Sequence, residues 1–82
     1  MEEYGIALDD FKKVCDINEQ VFGKEDLVTA ESYRNIAAIY GLMEQYGEAK
    51  EYFQKAYDIY VDVYGSDNPK TKEVKGWLEK LS

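Results

Sequence analysis

Eighty-two residues, 33% of them charged and 45% hydrophobic, make one small domain and exclude a disordered chain. The net charge of −7 argues against nucleic acid as a partner, and the complete lack of histidine removes the commonest general base. The longest apolar run, Ile36 to Met43, spans eight residues and is too short to cross a bilayer.

The first predicted element is a helix over 4–22. Its expected buried face is Ala7, Phe11, Val14, Ile17 and Val21, at spacings of three and four. No n-region and h-region pair opens the chain, so no signal peptide is expected. Glu2-Glu3 and Asp9-Asp10 are adjacent pairs, which do not share a helix face and read as solvated charge, not as metal ligands. Cys15 is the single cysteine and has no internal disulfide partner, which fits a reducing, cytoplasmic setting. It reads as a half-buried filler, because no basic neighbourhood would activate a thiol. Gly23 follows the helix as a left-handed stop.

A second helix is predicted over 27–43. It starts at Asp26-Leu27 and presents Tyr33, Ile36, Ala37, Tyr40 and Met43 on one face. A third covers 46–64 with Ala49, Phe53, Ala56, Ile59, Tyr60 and Val63, and ends at Gly65. The fourth, 69–81, has Asn68 as N-cap and Pro69 at its first turn, with Val74, Trp77, Leu78 and Leu81 facing inward. Loops of about three to five residues set neighbouring helices antiparallel. The eight tyrosines fall mostly at helical spacing and read chiefly as bulky core, with a partner-facing flank as the alternative. The expected class is all-α.

Sliding the chain against itself by 42 positions aligns 4–40 with 46–82 at eleven identities. They are Tyr4-Gly5, Ala7, Phe11, Lys13, Asp16-Ile17, Val21, Gly23, Thr29 and Glu31 with Tyr46-Gly47, Ala49, Phe53, Lys55, Asp58-Ile59, Val63, Gly65, Thr71 and Glu73. An internal repeat of this length marks an architecture built by stacking.

The series Tyr33, Ile36, Ala37, Tyr40, Ala49, Phe53, Ala56 resembles the tetratricopeptide repeat signature, in which small residues let two helices approach and large ones fill between them. The long period and the exit Gly65-Ser66-Asp67-Asn68-Pro69-Lys70-Thr71 are similar to the long repeats of kinesin light chains, whose exit reads Gly-x-Asp-His-Pro-x-Thr. Asn68 stands in place of the His, and Leu27 in place of the Pro in the first copy. Glu44 stands where the turn usually has Gly, with Gly47 near enough to relieve it. The resemblance implies a right-handed α-solenoid of antiparallel hairpins within a single domain, 1–82. One repeat, 28–65, is complete; 4–23 matches the second helix of a preceding repeat and 69–81 a terminal first helix. A piece of a longer, multidomain repeat protein, with a regulatory role there, would look the same.

What the resemblance implies for function is a protein-interaction scaffold, with no catalysis and no cofactor. The first helix of each hairpin lines a concave groove for a peptide of a partner protein. This puts Glu31, Arg34, Asn35, Ala38 and Leu42 on the groove, extended by Glu73, Trp77 and Lys80. Asn35 both donates and accepts, so it suits a ligand backbone; Arg34 suits a carboxylate. The plain alternative is that these side chains are merely solvated, and that Trp77 is a packing residue. The clamp that related repeats use for a C-terminal carboxylate needs three successive first helices. Only two are present, and Gly76 and Trp77 occupy the second set of clamp positions. Self-association, as a dimer or head to tail, is the second reading. Residues 1–31 carry nine acids and three lysines, and 69–82 four lysines and two acids, so opposite ends attract. No nucleic acid and no membrane enters either reading.

Overall fold

A computed structural model describes residues 2–81. They form four helices: α1 (Glu2–Phe22), α2 (Leu27–Leu42), α3 (Tyr46–Tyr64) and α4 (Pro69–Leu81). Among the described residues there is no strand, and no helix is long and apolar enough to cross a membrane. Each helix packs on its neighbours in the chain, α2 against α3 most extensively. The overall extents are 36 × 32 × 17 Å, a slab two helices thick.

The boundaries follow from local chemistry. Asp26 accepts from the Val28 N–H at 2.9 Å, and Asn68 from the Lys70 N–H at 2.9 Å, each satisfying a donor that the first helical turn leaves unpaired. Gly23 and Gly65 have φ of +93° and +86°, and their N–H groups close the turns on Glu19 and Val61. Glu44 has φ +62°, so the α2–α3 turn is left-handed at a non-glycine residue. Gly47 lies inside α3 and gives no relief there, so the turn carries roughly 1 kcal/mol of strain.

Tyr33, Ile36, Ala37 and Tyr40 of α2 and Ala49, Phe53, Ala56, Ile59 and Tyr60 of α3 are buried, together with Val74 and Leu78 of α4. Tyr52 is half-buried, and its ring meets Tyr33 at 6.0 Å and Tyr40 at 5.8 Å. The tyrosines are therefore mostly core, with Tyr46 and Tyr64 exposed.

The expected face of α1 is corrected. α1 buries Leu8 and Cys15, with Phe11 packed against them, while Val14, Ile17 and Val21 are exposed. The sequence carries two apolar stripes on this helix, and α2 covers only the one that includes Cys15. Asn18 donates to Ser32 Oγ at 2.7 Å, and Glu19 accepts from the Tyr33 hydroxyl at 2.5 Å, which fixes that orientation. Val63 at the end of α3 and Trp77 on α4 are likewise about half exposed.

Candidate functional site

Between α2 and α4 lies an open cleft of about 540 Å³. Helical spacing builds it. Arg34, Asn35, Ala38, Gly41 and Leu42 come from successive turns of α2, and Glu73, Trp77 and Leu81 from one line of α4. Phe53 and Tyr46 of α3 complete the lining. Phe53 is buried, and its ring lies 6.1 Å from Trp77 at an interplanar angle of 4°. That stack holds the indole as one wall of the cleft.

The lining is mainly apolar, and its large side chains stay open to solvent. Leu42 is 58% exposed, Tyr46 50% and Trp77 46%. These three side chains leave an exposed apolar patch around one concavity. Gly41 leaves room, since a Cβ there would meet nothing within 4 Å.

The polar groups stand at the rim. Arg34 donates to Glu73 at 2.6 Å, and Lys70 to Glu31 at 3.2 Å, so two ion pairs bridge α2 to α4. Both pairs are solvent-exposed, so water and salt screen them strongly. The Arg34 guanidinium therefore already has a carboxylate partner. Asn35 is exposed, and its amide makes no hydrogen bond among the described residues.

Six of the expected residues, Arg34, Asn35, Ala38, Leu42, Glu73 and Trp77, line this one cleft. Glu31 sits outside the lining in its pair with Lys70. Lys80 is also outside, its ammonium 5.0 Å above the Trp77 ring, where it covers part of the indole. Trp77 is both packed and open. Tyr46, Phe53, Gly41 and Leu81 were not anticipated here. Leu42 and Tyr46 flank the tight α2–α3 turn, and that proximity was the available signal.

On the opposite side, Lys12, Cys15, Glu19, Tyr33, Tyr52 and Lys55 border a shallower hollow of about 290 Å³. Its cations are engaged. Lys55 lies over the Tyr33 and Tyr52 rings, and Lys12 over Tyr40. Burial, then the charges of Glu19 and Asp16, push the Cys15 thiol up to about 11. It is held as the unreactive protonated form at neutral pH.

A sequence model of the tetratricopeptide repeat matches residues 1–61 and again 28–74, so the two matches together span most of the chain. No curated protein matches it.

Proposed function

The chain belongs to the tetratricopeptide repeat family, and on that premise we propose that it binds a segment of a partner protein in the cleft between α2 and α4. Tetratricopeptide repeats generally mediate protein–protein interaction, and the family is a non-catalytic repeat module. The observation that carries the reading is the exposure of Leu42, Tyr46 and Trp77 around a single apolar cleft. Removing these side chains from water is the favourable contribution, and affinity is what it leaves after the entropy cost of association.

The ligand class follows from the lining. A bulky apolar side chain of the partner fills the space beside Trp77 and above Gly41. Asn35 then pairs with a backbone amide of the ligand, which needs one donor and one acceptor. A ligand carboxylate is disfavoured, because it must displace Glu73 from Arg34 and approach a chain of net charge −7. The 42-residue period and the exit Gly65 to Thr71 support assignment to the long-repeat, kinesin-light-chain-like type. A protonated, unpaired Cys15 suits the reducing cytoplasm.

The test is to pan a random peptide display library on the whole chain and titrate the selected peptides. The reading expects a common bulky apolar residue, with Leu42→Ala weakening binding about tenfold or more and Asn35→Ala by a smaller factor. Selected peptides indifferent to Leu42→Ala, on a variant with unchanged circular dichroism, would overturn it.

A further inference from the structure

Tyr60 is the largest of the fully buried side chains, 1% exposed, and its hydroxyl makes no hydrogen bond among the described residues. Phenylalanine would fill the same space with no buried hydroxyl to satisfy. The internal repeat shows which partner is missing. The mate of Tyr60 in the 42-residue register is Asn18, whose amide donates to Ser32 Oγ at 2.7 Å. The mate of Ser32 is Val74, which is buried and has no polar atom in its side chain. The polar tip on α3 therefore lacks the partner that its counterpart on α1 has.

The hydroxyl is not sealed in. Tyr60 is the floor of a hollow of about 160 Å³ beside the start of α4, walled by Arg34, Lys70 and Glu73. Burial raises the phenol above its ordinary titration range, so it is a neutral O–H at neutral pH; the charges that act on it next are those of Arg34, Glu31 and Lys70. Those are the groups of the two ion pairs that bridge α2 to α4. Arg34 and Glu73 line this hollow and the larger cleft alike, so their pair stands where the two meet.

The donors and acceptors of the walls select what fits. Arg34 gives one N–H to Glu73 and Lys70 one to Glu31, and each keeps further N–H groups for a ligand. With the Tyr60 O–H they call for an acceptor oxygen. Glu73 offers only lone pairs and calls for a donor. A carboxylate brings no donor and sets a second negative charge beside Glu73. A cation meets Arg34 and Lys70. A carboxamide carries its C=O and NH₂ on one carbon and answers both sides with the ion pairs intact.

Position along the cleft follows from helical rise. Glu73 and Lys70 precede Trp77 on α4 by four and seven residues, so the hollow lies about 6–10 Å along the helix from the indole. Side chains i and i+2 of an extended segment are about 7 Å apart on one side. We propose that the hollow over Tyr60 is a carboxamide subsite: a Gln or Asn of the bound segment, two residues from the apolar side chain beside Trp77, accepts from the Tyr60 hydroxyl and donates to Glu73. This rests on the α2–α4 cleft being the partner site.

Peptides panned on the whole chain test it. Each is resynthesised with Gln, Met or Glu at the positions two residues from its apolar anchor and titrated by fluorescence anisotropy. Met has about the length of Gln without the amide. The Gln peptide should bind about fivefold tighter than the Met peptide, and the Glu peptide no tighter than Met. Tyr60→Phe should erase the Gln advantage and leave the affinity of the Met peptide unchanged. In the free protein, Tyr60→Phe should leave the urea midpoint unchanged or raised, because the hydroxyl it removes has no protein partner. A lowered midpoint would mean that bound water already satisfies the hydroxyl, and overturns the proposal. A Gln advantage that survives Tyr60→Phe, equal affinity for Gln and Met, or tighter binding of Glu also overturns it; the cleft reading stands in those cases if Leu42→Ala weakens all three peptides. Indifference of all three to Leu42→Ala would overturn the cleft reading and this one with it.

Discussion

Thr29 and Thr71 occupy matching positions of the 42-residue repeat, and both are buried. The Thr29 hydroxyl donates to the Gly23 carbonyl at 2.6 Å, whereas Thr71 Oγ1 is buried with no partner among the described residues. A satisfied buried hydroxyl contributes about 1 kcal/mol, and an unsatisfied one costs about as much or more. Thr29→Val should therefore lower stability by about 1 kcal/mol, while Thr71→Val should be neutral or stabilising, as read from urea midpoints. Equal losses at both sites would contradict the assignment. Cys15 makes a pH prediction. Its folded pKa is raised to about 11 from an ordinary 9.0, so the folded chain holds a proton that the unfolded chain releases. The associated stability is intact below pH 9 and is lost as pH rises through about 11. Between pH 8 and 10.5 the wild type should lose more stability than Cys15→Ala, and parallel losses would refute that cause. Cys15 as filler was legible from its match to Tyr57. Its full burial was not, because the turn of α1 that seats it depends on hydrogen bonds of Asn18 and Glu19 to another helix.

At the scale of elements, helix positions were readable because their punctuation is local. Gly23, Gly65, Asp26 and Asn68-Pro69 stop or start helices through conformations that need no tertiary partner. Most of the buried faces of α2 and α3 was readable too, although Val63 is exposed and α2 also buries Thr29, Ala30 and Ser32. α1 was misread because the 42-residue match assigned it the stripe of α3, although α3 is covered on a side where α1 is not. Identity of sequence across the repeat does not carry identity of burial. Ile17 and Ile59 measure this directly, being the same residue type in register at 59% and 7% exposure. Ile59→Ala should cost about 2–4 kcal/mol, and Ile17→Ala within about 0.5 kcal/mol, in chemical denaturation. Similar costs at both positions would mean that the α1 stripe is covered.

For the whole molecule, the slab carries two exposed apolar surfaces: a cleft between α2 and α4 rimmed by paired charges, and the stripe of Val14, Ile17 and Val21 on α1. Most of the cleft was legible through the resemblance to the tetratricopeptide repeat, which puts Arg34, Asn35, Ala38 and Leu42 on the groove side of α2. Phe53 and Tyr46 were not, because their contribution depends on how closely α4 approaches α3, which is a matter of packing and not of period. The most direct test of the cleft uses the single tryptophan, since Trp77 forms its wall. Titrating a panned peptide while recording Trp77 emission should shift that emission to the blue as the indole loses water, with a midpoint that Leu42→Ala moves about tenfold. A peptide that binds by anisotropy while Trp77 emission stays fixed would show that the ligand sits elsewhere and would contradict the account.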